Sequence, residues 1–269
     1  MTTQRETAQQ FLALHGADAP LLIPNPWDAG SARLLVALGF QALATTSGGH
    51  AATLGRLDGS VTRDEAIAHA AAIVAAADVP VSADLENGFA DDPAGVAATI
   101  ELAIGAGLAG CSVEDYSGTE LYAPDVAVAR VVAAAETAHG GDVHLVLTAR
   151  AENYLRGNPD LADTIARLQS FQEAGADVLY APGLSDLDDI RQVVAAVDLP
   201  VNVLALPNAP SVAELASAGV KRISVGSAFA WVALGAVADA GRELLEQGTY
   251  GFWAMAGKGA GAAMAAFNR

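Results

Sequence analysis

Eight short segments rich in β-branched and other apolar residues recur along the chain, separated by longer alanine-rich stretches, and this alternation constrains the fold most strongly. Strand-like runs that alternate with helix-like runs are typical of parallel α/β folds. Eight units in 269 residues give about 34 residues per unit, close to one βα repeat of a barrel of about 250 residues. The predicted strands are residues 21–25, 41–47, 79–84, 109–115, 144–150, 177–181, 199–205 and 220–226.

The stretches between these strands carry alanine, leucine, valine and isoleucine at helical spacing, with few charges. Gly39, Gly107, Gly175 and Gly219 stand just before strands, where a left-handed glycine ends a helix. A doubly wound open sheet would show the same alternation, but no Gly-x-Gly-x-x-Gly follows the first strand. The predicted helices are residues 31–38, 63–77, 93–105, 124–139, 161–174, 187–197 and 211–218. We therefore predict an α/β fold, a single (β/α)8 TIM barrel domain over residues 1–269.

The charge balance excludes several partners. The chain has 14 Lys+Arg against 31 Asp+Glu, a formal charge of -17, which repels phosphate backbones and anionic lipids. We expect no nucleic-acid and no membrane partner. Cys111 is the single cysteine, so neither a disulfide framework nor a thiolate zinc cluster is possible. Because residues 1–10 are polar and no uncharged run suits a membrane span, we expect a cytoplasmic protein.

Acidic residues fall where the third and fourth predicted strands end, which in a TIM barrel is the catalytic face. Asp84 and Glu86 follow strand three, Glu114 ends strand four, and Asp58 lies in the loop after strand two. In a chain this acidic they could be ordinary loop residues. If they converge, they would repel one another unless a cation lies among them. An all-oxygen ligand set favours Mg²⁺, with Mn²⁺ as an alternative.

Two other features also lie at predicted strand ends: a basic residue, Arg150, and a turn of small residues at 45–50. Arg150 ends the otherwise apolar fifth strand, where it either pairs with a neighbouring carboxylate or clamps a substrate carboxylate in bidentate fashion. After strand two, residues 45–50 (TTSGGH) form a predicted turn whose hydroxyl and amide groups suit an oxyanion. The candidate substrate-binding residues are Trp27, Thr46, Ser47, Gly48, Gly49, His50, Arg150 and Asn202.

Several motifs together resemble the isocitrate lyase/phosphoenolpyruvate mutase superfamily. They are NPWDAGSAR at 25–33, SGG at 47–49, LG at 54–55, DLENGF at 84–89, GCSVED at 110–115 and TAR at 148–150. The resemblance implies a modified barrel whose last helix is exchanged between subunits of a homodimer or homotetramer. This would account for residues 241–269, which fit no further βα unit. It also implies Mg²⁺ held by Asp58, Asp84, Glu86 and Glu114, and α-keto acid substrates.

The departures from the family pattern bear on the reaction. The family's usual second aspartate after strand three is Glu86 here, one methylene longer. The lyases carry Lys-Lys-Cys-Gly-His in the loop after strand four, whereas residues 116–122 (YSGTELY) contain no cysteine, lysine or histidine. Cys111 lies within strand four and is expected to be a buried apolar group. The loop also lacks the Lys-Thr-Asn-Ser run of the phosphonate-forming mutases, which disfavours phosphoryl migration.

Of the reactions considered, decarboxylation of a β-keto acid such as oxaloacetate needs the fewest catalytic residues, because no protein nucleophile takes part. The predicted catalytic residues are Arg150 for a carboxylate, Ser47 and Gly48 for the enolate, and Tyr116 as a proton donor. Two alternatives remain. One is a 2-methylisocitrate or isocitrate type of lyase in which another residue replaces the loop cysteine. The other is a binding protein for an α-keto acid such as 2-oxoglutarate, with little or no catalysis.

Overall fold

All eight predicted strands are present in the computed structural model, which describes residues 2–268. Each strand is shorter than its sequence prediction, because residues at one or both predicted ends belong to the connecting loops. The strands are β1 (Leu21–Ile23), β2 (Leu43–Ala44), β3 (Val81–Asp84), β4 (Gly110–Glu114), β5 (Val146–Arg150), β6 (Val178–Tyr180), β7 (Val201–Leu204) and β8 (Arg222–Ser224).

The strands are all parallel, and hydrogen bonds link them in the order β1-β8-β7-β6-β5-β4-β3-β2. The ends of this ladder, β1 and β2, meet where the Ala44 amide donates to the Pro24 carbonyl at 3.1 Å. Helices follow the strands around the outside. The prediction of a (β/α)8 TIM barrel is confirmed, and parallel strands place all their carboxyl ends at one mouth.

The seven predicted helices are present, and the described residues contain further helices that the sequence analysis did not predict. Side-chain caps mark many helix starts; Thr62, for example, forms a reciprocal capping box with Glu65. The helices are α1 (Gln4–Leu14), α2 (Ala29–Ala37), α3 (Ser47–Thr53), α4 (Arg63–Ala76), α5 (Pro93–Gly105), α6 (Pro124–His139), α7 (Leu161–Glu173), α8 (Leu187–Ala196), α9 (Val212–Ser217), α10 (Ala228–Arg242) and α11 (Trp253–Phe267).

The turn predicted at residues 45–50 is wrong. These residues include the start of helix α3, which begins at Ser47. Thr46 is the N-cap of this helix, and its hydroxyl accepts a hydrogen bond from the Gly49 amide at 3.3 Å. The two glycines lower helix propensity, which is why the sequence favoured a turn. Close packing explains them, since a Cβ at Gly49 would meet the Trp27 Cβ at 3.2 Å and the Thr46 Cγ2 at 2.5 Å.

Helix α1 closes the amino-terminal end of the barrel. Its Phe11 is fully buried in a small apolar cluster with Ile23, Val146 and Val178 from three strands. Gly110 allows this approach, because a Cβ there would lie 2.7 Å from the Phe11 ring and 2.8 Å from the Val146 carbonyl oxygen. The carboxyl-terminal mouth, in contrast, opens into cavities lined by residues of several strands and loops.

The last two helices lie largely outside the barrel. A π-helical turn, Glu243–Gln247, follows α10 directly, and α11 then returns so that the Phe267 ring approaches the position of a Gly30 Cβ to 3.8 Å. Many large apolar side chains on this arm are exposed to solvent: Trp231, Val232, Leu234, Val237, Leu244, Leu245, Trp253, Met255 and Met264. In spite of this apolar surface, no helix within residues 2–268 reaches the length and hydropathy that a bilayer crossing needs.

Candidate active site

Arg150 is the centre of a charge cluster at the barrel mouth. Its guanidinium contacts three carboxylates: Asp84 Oδ1 at 2.9 Å, Glu114 Oε2 at 2.9 Å and Glu152 Oε1 at 2.8 Å. Strand register produces this arrangement, because Glu114 on β4 is paired directly with Arg150 on β5. Only 11% of the Arg150 side chain is exposed, so these ion pairs are shielded from solvent.

A second arginine extends the cluster toward the loop after β4. Arg156 Nη2 lies 3.3 Å from both Glu114 Oε1 and Glu152 Oε2, and its guanidinium stacks over the Tyr116 ring at 3.9 Å. Tyr116 is itself held by a bridge to Leu121 that closes the loop. The predicted proton donor is therefore positioned beside the charge cluster.

Acids at the mouth outnumber the cations that neutralise them. Burial raises the pKa of Glu86 to about 7, and repulsion from Asp84 and Asp58 adds to the effect. Burial likewise raises the pKa of Glu114, an effect that the attraction of Arg150 opposes and the proximity of Glu152 reinforces. Glu86 also adopts a left-handed backbone conformation, with φ at 49°, which is strained for a residue other than glycine.

The four predicted metal ligands all lie at the mouth. Among the described residues, their carboxylate oxygens are too far apart for three of them to bind one ion. Asp84 and Glu114 are held by Arg150, whereas Asp58 and Glu86 line the adjoining cavity. The oxygen-rich donor set and the raised pKa of Glu86 fit a divalent cation, because a cation would relieve the repulsion among these acids. Movement of the Arg150 side chain or of the acids would be needed to complete the site.

The amino end of α3 faces this cluster. The Ser47 amide donates to Asp84 Oδ2 at 3.2 Å, and the Thr45 hydroxyl accepts from the Asp84 amide at 2.9 Å. Gly48 leaves room for Asp58, since a Cβ at residue 48 would lie 3.3 Å from the Asp58 Cγ and 2.8 Å from the Ser227 Oγ. The Thr46 hydroxyl contacts the same Ser227 hydroxyl at 2.7 Å, which ties α3 to the loop after β8.

Two adjoining cavities open at the mouth. One, of about 180 Å³, reaches down into the barrel, and the other, of about 430 Å³, lies under the loop that contains Tyr116. They share Ser47, Asp58, Arg150 and Leu155. A small ligand bound beside Arg150 could therefore extend either into the barrel or toward the loop.

The other predicted binding residues are divided between the cavity and its surroundings. Asn202 is 1% exposed and lines the inner cavity, where its amide donates to the Ser224 hydroxyl at 3.0 Å. Trp27 and His50 line neither of the two cavities. His50 stacks on His69 with ring centroids 3.8 Å apart, and His69 contacts the Trp27 carbonyl at 3.0 Å.

Sequence reasoning missed several residues at the mouth. Glu152 and Arg156 were not predicted, although their spacing from Arg150 placed them just beyond the same strand. Arg222 is the first residue of β8, and period-two alternation along the strand would have placed it on the same side as Ser224. Further unpredicted lining residues of the inner cavity are Ser82, Ser112, Tyr180, Leu204 and Ser227.

An eight-stranded parallel barrel with carboxylates and a buried arginine at its carboxyl-terminal mouth is an enzyme of the TIM-barrel class. Residues 11–245 match the model of the phosphoenolpyruvate phosphomutase family. The chain belongs to this family, and thus to the isocitrate lyase/phosphoenolpyruvate mutase superfamily that the sequence motifs indicated.

Similar proteins support the same assignment. A protein of Burkholderia cenocepacia J2315, described as a proposed lyase or mutase, is 51% identical with a TM-score of 0.90, covering 93% of this chain and 91% of its own. The oxaloacetate decarboxylase of Pseudomonas entomophila is 30% identical over 79% of this chain and 76% of its own. The 2-methylisocitrate lyase of Escherichia coli K12 is 30% identical over 71% of this chain and 67% of its own. Relatives that cleave carbon–carbon bonds of small carboxylic acids agree with the predicted enzyme class.

Proposed function

We propose that this protein is a Mg²⁺-dependent carbon–carbon lyase acting on small α-keto or 2-hydroxy acids, and that it decarboxylates a β-keto acid of the oxaloacetate type. The observation that carries the proposal is the Arg150 cluster, in which one buried guanidinium contacts Asp84, Glu114 and Glu152 beside two small cavities. Similarity to an oxaloacetate decarboxylase supports the choice of reaction.

Each residue of the cluster has a role in this reaction. Asp58, Asp84, Glu86 and Glu114 would hold the metal ion, which supplies Lewis-acid stabilisation of the charge that develops on the keto oxygen. Arg150 binds and orients a substrate carboxylate once a ligand competes for its carboxylate partners. The Ser47 and Gly48 amides would donate to the enolate oxygen formed as the carbon–carbon bond breaks and carbon dioxide leaves.

Protonation of the enolate carbon completes the reaction. Tyr116 would be the proton donor, a role that its place in the lining of the outer cavity with Glu114 and Arg156 supports. Trp27, Gly49 and His50 would support α3 rather than contact the substrate, whereas Thr46, which lines the inner cavity, would contact it. Asn202 would contact the part of the substrate that reaches into the barrel.

An NMR time course tests this proposal. Purified protein with Mg²⁺ is incubated with oxaloacetate, 2-methylisocitrate, isocitrate or 2-oxoglutarate, and a protein-free sample corrects for spontaneous decarboxylation. We expect carbon dioxide and pyruvate from oxaloacetate, with turnover reduced at least about 100-fold in Asp84→Ala. Asp64→Ala, which removes an exposed acid in the first turn of α4, is the matched control and should retain full activity.

The outcomes separate the candidate functions. Glyoxylate or pyruvate together with a diacid from an isocitrate-type substrate would favour the second candidate, which the similarity to 2-methylisocitrate lyase supports. Binding of 2-oxoglutarate with every substrate left intact would support the α-keto acid binding protein and contradict the lyase proposal. Equal turnover by Asp84→Ala and the unaltered protein would remove the carboxylate cluster from the mechanism.

We also propose that residues 241–269, with α10, pack on a second copy of the chain in a homodimer or homotetramer. Val232 is 70% exposed and Trp253 67% exposed, and such a contiguous apolar surface is unusual on a monomer. Light scattering after size exclusion should give an oligomer, and Val232→Asp with Val237→Asp should shift it toward monomer. Val126→Asp, at a half-exposed valine on α6, is the control. A monomeric unaltered protein would contradict the proposal.

A further inference from the structure

The inside of this barrel is polar where such barrels are usually filled by bulky branched residues. Ser82, Ser112, Thr148 and Asn202 project from β3, β4, β5 and β7, and all four are buried. Ser82, Ser112 and Asn202 line the 180 Å³ cavity that opens at the mouth. A polar, hollow interior is suited to a polar ligand rather than to packing alone.

Arg222 of β8 lies at the inner end of this polar set and is 5% exposed. Its Nε donates to Asn202 Oδ1 at 3.0 Å, and its Nη1 donates to the Thr148 hydroxyl at 2.9 Å. The same Nη1 lies 3.5 Å from His15 Nε2, while His15 Nδ1 contacts the Phe11 carbonyl at 2.8 Å. These contacts assign the Nδ1–H tautomer, in which Nε2 accepts from the arginine, so the partners of Arg222 are neutral.

The charge of Arg222 is not balanced by an acid in the part of the chain that the structure describes. Among residues 2–268, no carboxylate oxygen lies within ion-pair distance of it, whereas Arg150 contacts three. Burial, with repulsion from Arg150, lowers the pKa of Arg222 to about 10, so it stays charged at neutral pH. Burying a charge without a partner is costly, and such groups are normally paired with an opposite charge or a ligand.

The position of Arg222 relative to Arg150 defines what a ligand could look like. Residue pairing places Arg150, Tyr180, Asn202 and Arg222 in one row across β5, β6, β7 and β8. Both arginines line the same inner cavity. The Arg222 Nη2 atom makes no protein hydrogen bond within the described residues, so it remains available to a ligand in that cavity.

We propose that Arg222 is an anion subsite inside the barrel, and that it binds the second acid group of a dicarboxylic substrate whose oxo-acid head lies at Arg150. The placement of the head rests on the proposed function. Asn202 and Thr148 position the guanidinium, and Arg222 makes the enzyme selective for oxo-diacids over oxo-monoacids of the same length. The ligand carboxylate supplies the negative charge that the polypeptide does not provide.

Two five-carbon ligands test the subsite by calorimetry in the presence of Mg²⁺. Both 2-oxoglutarate and 2-oxopentanoate carry the oxo-acid head, but only the first has a second carboxylate. Neither is a β-keto acid, so binding is measured without decarboxylation. We expect the unaltered protein to bind 2-oxoglutarate about 30-fold more tightly, the value of one charge-assisted hydrogen-bonded pair. Absence of this preference, or absence of binding by both ligands, would overturn the proposal.

Substitutions at the subsite should change the preference alone. In Arg222→Gln the Kd for 2-oxoglutarate should rise to that of 2-oxopentanoate, whose own Kd should change less than about twofold. Arg222→Lys retains the cation and should retain part of the preference. An equal loss for both ligands in Arg222→Gln, with the fold intact by circular dichroism, would overturn the proposal.

Asn202→Asp tests the charge argument independently, in case Arg222→Gln does not fold. It places an acid 3.0 Å from the Arg222 Nε in nearly the same volume. The diacid preference should disappear while the melting temperature of the ligand-free protein rises, because the buried charge is then paired. An undiminished preference in Asn202→Asp would contradict the proposal. Failure of turnover with the diacid preference intact would contradict the lyase function but not the subsite.

Discussion

The two ends of the barrel both carry clusters of ionisable groups, but the clusters differ in their charge balance. At the carboxyl-terminal mouth, Arg150 is shared among three acids, and burial and crowding raise the pKa of Glu86 to about 7. At the amino-terminal end, Asp177 is held by His139 Nε2 at 2.9 Å and His144 Nε2 at 2.8 Å. There burial opposes ionisation, but the hydrogen bonds from His139, the Leu147 amide and His144 lower the pKa of Asp177.

The difference indicates which end is functional. Asp177, the one acid of the amino-terminal cluster, accepts hydrogen bonds from the Leu147 amide and from His139 and His144, whose stacked rings lie 4.0 Å apart. The mouth holds acids in excess of its cations, and the buried Glu152 Oε2 makes an ion-pair contact with Arg156 Nη2 at 3.3 Å but no hydrogen bond. Titratable groups with unsatisfied electrostatics concentrate at catalytic sites, because ligands or metal ions complete them.

Removing the central cation of the mouth should have the largest effect on stability. Arg150→Met leaves Asp84, Glu114 and Glu152 without their shared partner, and we expect the free energy of unfolding to fall by about 3–5 kcal/mol. The matched control is Arg191→Met, because Arg191 pairs with Asp188 at the surface and should cost less than about 0.5 kcal/mol. Urea unfolding measures both. Equal effects would show that the mouth cluster is no more critical than a surface pair.

The two ends should respond to pH in opposite directions. At the amino-terminal end, burial lowers the pKa of His15 to about 4, with the charge of Arg222 acting in the same direction. The unfolded histidine takes up protons near its ordinary pKa, so stability falls as pH drops from about 6.5 to 4, by up to about 3 kcal/mol. His15→Gln does not titrate and should make this part of the profile shallower in urea melts, and the loss that remains is that of His69, whose pKa burial also lowers to about 4. If His15→Gln lost the same stability between pH 6.5 and 4 as the unaltered protein, His15 would not be a source of that loss.

At the mouth the sign is reversed, because the folded-state pKa of Glu86 is raised. The protonated acid favours the folded state, so this contribution to stability is present below about pH 4.5 and is lost as pH rises to about 7. We expect a loss of roughly 2 kcal/mol, reduced for partial exposure, and its absence in Glu86→Gln. Mg²⁺ should suppress this alkaline loss without changing the acid limb of His15. If Mg²⁺ changed the loss of stability at acidic pH as much as the loss as pH rises to about 7, a metal site at the mouth would be contradicted.

The smallest effect is expected at the solvent-facing edge of the amino-terminal cluster. His144 is 40% exposed and shares Asp177 with His139, so His144→Ala should reduce the free energy of unfolding by no more than about 1 kcal/mol. Turnover should be unchanged, because this end is separated from the mouth by the length of the strands. A larger destabilisation, or a loss of activity, would contradict the division between a catalytic and a structural end.

Most of the fold could be predicted from local sequence. The eight strands and seven of the helices follow from hydrophobic periodicity and from caps such as Thr62, which act over a few residues. Helix α1 was not predicted although Thr3 and Glu6 form a capping box at its start; its local sequence does not show that Phe11 packs into the barrel end. Helix α3 escaped because its glycines reflect close approach to Trp27 and Asp58, which propensity does not register.

The candidate site was predictable only as a set of residue types at strand ends. Asp58, Asp84, Glu86, Glu114, Arg150 and the residues of α3 could be selected because parallel strands share one mouth. Their pairing could not, since Arg150 contacts acids from β3, from β4 and from its own loop.

By itself, then, the sequence determined the repeating βα units, the acidic surface and the family, because these depend on periodicity, composition and contiguous motifs. The tertiary structure alone decided that Arg150 contacts three acids while Arg222, in the same cavity, pairs with no acid among residues 2–268. Charge balance depends on distances among side chains from different strands. Barrel closure and strand register set those distances, and no local pattern encodes them.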